Sequence, residues 1–304
     1  MTTTREPQPT MTSAAAVLPP DAAGDGPRGL RQHLPVLYPA AMLLVFFVVP
    51  FGIMLAFSFF HRVQGGFYEP AFELDNYARF LTPLFVSALG FSILLCGLAA
   101  TVCVALALPF TWLLGRSSVR VQTAWLVFIL SVLSLSEVIV GFSWSVLLSR
   151  SAGVSNLLVA LGLAAEPAAW SPSFPALLMG LCYVSLPYAV LVLYPSVVRL
   201  PSEITEAART LGASPVRTFL TVVVPSLRRA VVATLILVFV FTLGSYLLPQ
   251  LLGQPQHWTL SVLITDQAVY QSNVPFAAAI AVFLMLVSLG LIGITLLLSE
   301  RGRA

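Results

Sequence analysis

Six stretches of this sequence stay apolar over the length a helix needs to cross a bilayer, about 20 residues. They lie near residues 36–59, 85–109, 122–148, 173–195, 229–252 and 274–298. Few folds other than a membrane bundle can keep that many apolar faces from water. The chain is 58% hydrophobic and 9% charged, whereas soluble domains average about 25% charged residues. The expected fold class is therefore all-α, a polytopic membrane protein with six transmembrane helices in a lipid bilayer. Pro50, Pro187 and Pro249 interrupt apolar runs, which neighbouring helices can tolerate by satisfying the freed carbonyls. Gly90, Gly97, Gly180, Ala278, Gly290 and Gly293 suit close helix packing.

All 15 basic residues are arginine. Arg62, Arg79 and Arg150 fall on one side of the six runs and the other twelve on the side shared by both ends. Basic loops stay in the cytoplasm, so both termini and the segment 199–228 are expected inside. The arginines are scattered between apolar runs, which argues against a nucleic-acid partner. The absence of lysine excludes an ordinary P-loop, whose lysine reaches the phosphates. Cys96, Cys103 and Cys182 sit in apolar runs without metal-ligand spacing and read as inert thiols. His33, His61 and His257 lie at run ends or in loops, and none pairs with a nucleophile as an intramembrane enzyme would need. Residues 1–33 are rich in Pro, Thr, Ala and Gly and read as a disordered cytoplasmic tail. Residues 301–304 read as a second tail, with 34–300 as the membrane domain. No cleavage site follows the first apolar run, so it is expected to persist as an uncleaved span.

One polar island stands out, from Ser202 to Pro225. Ser202 is a plausible N-cap with Glu203 in the first turn. Ile204, Ala207, Ala208 and Leu211 recur at helical spacing and form one apolar face. Gly212 falls where a helix ends in a left-handed turn. Ser214-Pro215 reads as a second start, and Val216, Phe219, Leu220 and Val223 repeat the spacing. Two short amphipathic helices joined at a glycine are expected.

Glu206-Ala207-Ala208, Gly212 four residues on, Ser214 and the Val224-Pro225 pair resemble the EAA loop of binding-protein-dependent ABC importer permeases. The bland alternative is an ordinary amphipathic loop. Phe241–Gly253 is similar to the fifth span of the polyamine-type branch of that family. Val274–Ala279 resembles the start of its last span, and Ser136-Glu137 with Trp144 and Gly153–Asn156 its third span and following loop. The resemblance covers roughly residues 36–298. It implies a type I importer permease architecture in a bacterial inner membrane and a non-catalytic subunit. It further implies a separate ATP-binding subunit dimer that carries ATP and Mg, a second permease and an extracytoplasmic solute-binding protein. Glu206, Ala207, Ala208, Leu211, Gly212, Ser214 and Pro225 would form the loop that docks on the ATPase. The branch often carries an arginine shortly after the Ser-Glu of span three. Ile139, Val140 and Gly141 stand there in this chain, which leaves the cargo open.

Four residues are candidates for a solute path. Glu137 is the single acid inside an apolar run. Such a group faces protein or water, either attracting a cation or bonding a hydroxyl such as that of Ser134 or Ser136. Asp266, on the last outer segment, either meets cargo or is a solvated loop acid. Ser245 and Tyr246 are polar positions in the fifth run. An ion-gradient-driven secondary transporter is the competing class. It would ordinarily hold more intramembrane acids, and the helical elbow at 202–225 has no part in it.

Overall fold

The computed structural model describes residues 34–63 and 68–300. The expected tails, 1–33 and 301–304, lie outside the described residues. Every regular element among the described residues is helical, apart from an isolated bridge between His61 and Glu69. The chain divides into two compact units at Phe51–Gly52.

The first helix, α1, comprises Leu34–Leu43, a π turn at Leu44–Val48 and Val49–Phe57. The π turn ends two residues before Pro50. Proline has no N–H to give the carbonyl four residues back, and a widened turn absorbs that loss. In the first unit, residues 38–50 are all exposed.

In the second unit, after the end of α1, come α2, Asp75–Ala78, and a 3₁₀ turn at Arg79–Leu81. Asn76, 5% exposed, donates to the Ser58 and Phe60 carbonyls at 3.0 Å each. His61 Nδ1 lies 2.8 Å from Glu73 Oε2, and that carboxylate raises the imidazole pKa.

The long α3 runs from Pro83 to Gly115. The third apolar run was expected as one span but is two helices. These are α4, Val119–Leu133, and α5, Glu137–Leu147, bent by 89°. At the break, Ser134 Oγ donates to the Ser131 carbonyl at 2.7 Å, a side-chain bond that competes with continuation of the helix. The loop helix α6 is Val154–Ala160, and α7 spans Phe174–Val198. Next come α8, Ser202–Thr210, and α9, Pro215–Ser226, which meets α10, Arg228–Gly244, at 75°. The fifth apolar run also breaks, at Ser245-Tyr246, before α11, Leu247–Leu252. Pro249 cannot donate to the Ser245 carbonyl, so an uninterrupted helix would lack a bond there. The chain ends with α12, Leu260–Thr265, a π turn at Asp266–Tyr270, and α13, Val274–Glu300. Asn273, 1% exposed, precedes α13 and accepts from the Phe276 N–H. Among the described residues, four helices are long and apolar enough to cross a membrane singly, and up to six if each bent pair is one span.

Among the described residues, three apolar clusters hold the second unit. Ala100, Cys103 and Ala107 of α3 meet Ala189, Val190 and Leu193 of α7 and Val238 of α10. Leu95 and Ala99 meet Leu177, Leu181, Leu248 and Leu252. Phe85, Leu243, Leu260, Leu263, Phe276 and Ile280 form the third. Small side chains on α3 let α7 approach along its length, so dispersion contacts accumulate. The cysteines are free; Cys96 and Cys103 are buried and Cys182 is half-buried. The expectation for the small residues needs correction. A Cβ on Gly180 would lie 2.5 Å from Leu252 Cδ1, and Ala278 is buried. A Cβ on Gly90, Gly97, Gly290 or Gly293 would meet nothing within 4 Å, so these four do not mediate packing within the chain.

Candidate functional site

Two structures meet the sequence candidates: a helical elbow and a pair of interrupted helices.

In the elbow, α8 starts after Pro201, not from a Ser202 cap. Pro201 occupies the cap position with φ preset near helical values and an extended ψ of 136°. At the other end Gly212 has φ +82°, a left-handed conformation that residues with a Cβ adopt only at a cost. Its N–H bonds the Arg209 carbonyl at 2.9 Å, and the Ala213 N–H bonds that of Ala208 at 3.1 Å. This double bond pattern closes a helix through a left-handed residue. Ser214 Oγ then accepts from the Arg217 N–H at 3.3 Å, and Pro215 opens α9. Pro225 does not end α9. It sits in a last helical turn just after a π turn at Phe219–Val223, the same arrangement as at Pro50.

The faces of α8 are reversed relative to an ordinary surface helix. Thr205 is the buried residue, at 2% exposure. Ile204, Glu206 and Ala207 are exposed, Ala208 is half-buried, and Leu211 is 88% exposed. Val216 and Leu220 of α9 are exposed beside them, while Val223 is buried. Thr205 Oγ1 accepts a bond from Arg116 Nη2 at 2.7 Å. Burial lowers the pKa of Arg116, as does the charge of Arg209, and Glu206 opposes both.

The second structure joins the breaks of the third and fifth runs. Glu137 is the first residue of α5, where the helix dipole favours a carboxylate. Its partner is neither Ser134 nor Ser136: Ser245 Oγ, at the break after α10, donates to Glu137 Oε1 at 2.7 Å. The two helices also pack closely. A Cβ on Gly141 would lie 2.8 Å from Leu251 Cδ1, so glycine sets the approach of α5 to α11. The carbonyl of Leu243, left free where α10 ends, accepts from Ser261 Oγ of α12.

Tyr246, 45% exposed, lines a cleft of about 330 Å³ with Gly244, Ser261, Thr265, Met285 and Ser288 among others. Asp266 lines a neighbouring cleft of about 280 Å³ with Gln250, Trp258, Val262, Thr265 and Tyr270. Thr265 belongs to both. Glu137 and Ser245 are thus joined by a hydrogen bond, while Tyr246 and Asp266 line two clefts that share Thr265. Among the described residues Asp266 has no basic partner; Gln267 Nε2 lies 3.3 Å from its Oδ2. Gln250, Ser261 and Thr265 were not singled out from the sequence, because isolated hydroxyls and amides in apolar runs carry no periodic signal.

Interrupted apolar helices whose breaks bond one another, with largely apolar clefts that carry a few hydroxyls and one acid near the second break, fit a multi-span membrane protein of the transporter class. No protein-family model matches the chain. It is 31% identical over 234 residues to the xylose/arabinose import permease XacH of Haloferax volcanii, covering 73% of this chain and 72% of that one. It is 29% identical over 245 residues to the spermidine/putrescine transport system permease PotB of Escherichia coli K12, covering 81% and 89%. PotB of Salmonella typhimurium LT2 is 28% identical over 256 residues, covering 84% and 89%. The fold is similar to a chain in the crystal structure of a bacterial alginate ABC transporter in complex with an alginate pentasaccharide-bound periplasmic protein. There the TM-score is 0.70 at 18% identity, covering 88% of this chain and 93% of that one. This chain belongs to the permease subunits of ABC importers.

Proposed function

We propose that this chain is one of two permease halves of an ATP-driven importer for a small amine-bearing solute of the spermidine/putrescine kind. A solute-binding protein delivers the cargo, and a pair of separate ATP-binding subunits, which hold ATP and Mg, supplies the energy. In this reading residues 34–300 form six spans in a bacterial inner membrane, with α4 and α5 together making the third and α10 with α11 the fifth. Both termini and the 199–228 loop face the cytoplasm, as the arginine distribution favours.

The observation that carries the reading is the reversed burial of α8. An isolated amphipathic loop helix turns its apolar face inward. Here that face, with Leu211, Val216 and Leu220, points away from the chain, and the polar Thr205 points in. Exposed apolar side chains gathered at a helical bend favour a docking surface. Glu206, Ala207, Ala208, Leu211 and Gly212 then form the coupling segment, with Ser214 and Pro225 shaping α9. Movement of the ATPase subunits would swing the elbow and, through α9 and α10, the break at Ser245. Glu137, Ser245, Tyr246 and Asp266 are proposed to line the path. Two carboxylates with aromatic neighbours suit an ammonium group.

The test is ATPase activity of the assembled importer with its binding protein. Spermidine-loaded binding protein is expected to stimulate hydrolysis several-fold. Stimulation by xylose and not by spermidine would retain the importer and overturn the amine.

A further inference from the structure

A docking helix must also be fastened to what it moves. We propose that Arg116 is the positioning residue that fastens α8 to the end of α3, so that displacement of the elbow is passed to that helix. The proposal rests on the reading of α8 as the coupling helix.

Among the described residues, the Arg116–Thr205 bond is the one side-chain hydrogen bond that joins α8 to another helix or its cap. Arg116 is the residue that caps α3. Thr205 uses its hydroxyl in both roles, accepting from Arg116 at 2.7 Å and donating to the Ser202 carbonyl at 2.8 Å. Hydroxyl chemistry allows both roles at once. The guanidinium also lies over the ring of Trp112, 3.4 Å from its centroid. Trp112 is one helical turn back on the same face of α3, and its ring faces Phe219 of α9 at 6.3 Å. The end of α3, α8 and α9 therefore meet around one cation.

The turn that carries Arg116 is itself held. Gln122 Nε2 donates to the carbonyls of Gly115 at 3.3 Å and Ser117 at 2.9 Å. Tyr194 of α7 donates to Gln122 Oε1 at 2.7 Å. A pull on Thr205 thus reaches α3, α4 and α7 through a fixed turn. The chemistry requires arginine: a planar guanidinium can stack on an indole while donating in its own plane, whereas a lysine ammonium presents no such plane.

The experiment uses the whole importer in proteoliposomes and reads spermidine imported per ATP hydrolysed. Thr205→Val, which keeps shape and removes the hydroxyl, is expected to lower that ratio on the order of tenfold, with the ATPase subunits still bound. Thr205→Ser is expected to restore it, and Arg116→Lys to resemble Thr205→Val. A wild-type ratio in Thr205→Val would overturn the latch, as would loss of ATPase binding in that variant or an equal defect in Thr205→Ser. A wild-type importer whose uptake ignores ATP would instead overturn the coupling role of α8, and the latch with it.

Discussion

Leu211→Asp is expected to release the ATP-binding subunits and abolish ATP-driven uptake, while leaving this chain folded. Leu211 is 88% exposed and follows the last turn of α8. Substitution of so exposed a side chain changes stability by no more than about 0.5 kcal/mol. At an interface the sign reverses. A leucine seated in a partner's groove contributes about 1.5–3 kcal/mol by burial alone, and an aspartate there adds a desolvated charge. Association weakened by roughly a hundredfold or more follows from the two together. Co-purification with the ATPase subunits reads that loss directly, and a melting curve of the detergent-solubilised chain checks that the fold survives. Normal association would mean that the exposed face of α8 serves something else, such as lipid contact.

Glu137→Gln carries the second large effect. The substitution is nearly isosteric and keeps an oxygen to accept from Ser245, so the contact between the two breaks persists. Only the charge goes. If the carboxylate meets an ammonium on the path, uptake of spermidine is expected to fall by roughly 10- to 100-fold, the range for a hydrogen bond to a charged group. Ser245→Ala supplies the contrast. A carboxylate whose work is structural would tolerate Gln and suffer from the lost serine. One whose work is on the path would suffer from Gln and tolerate Ala. Full uptake in Glu137→Gln with a defect in Ser245→Ala would assign Glu137 to holding α5 against the break after α10.

The elbow was legible in the sequence because its signals are local. Gly212 has to be a residue that accepts positive φ, and Ser214-Pro215 has to be a start, whatever surrounds them. The direction of the α8 face was not legible. Periodicity shows that two faces differ, but which is covered depends on who stands beside the helix. The breaks in the third and fifth runs were hidden for another reason. Hydropathy sums residues and ignores the backbone, so Ser134-Leu135-Ser136 and Ser245-Tyr246 vanish into apolar averages. Pro249 was visible as an interruption, but it acts four residues upstream, at Ser245, where the helix stops. The partner of Glu137 lies 108 positions away, and sequence proximity pointed to the wrong serines. Gly90, Gly97, Gly290 and Gly293 mark small residues without marking a contact, since composition is blind to what lies opposite.

Uptake of radiolabelled spermidine into proteoliposomes tests the central claim most directly. The vesicles would hold this chain with its companion permease and ATPase subunits, with the binding protein outside and ATP inside. Accumulation that requires ATP, persists when ionophores collapse proton and sodium gradients, and disappears with Leu211→Asp is the expected result. Accumulation driven by an imposed ion gradient in vesicles that lack the ATPase would contradict it and make this chain a gradient-driven carrier.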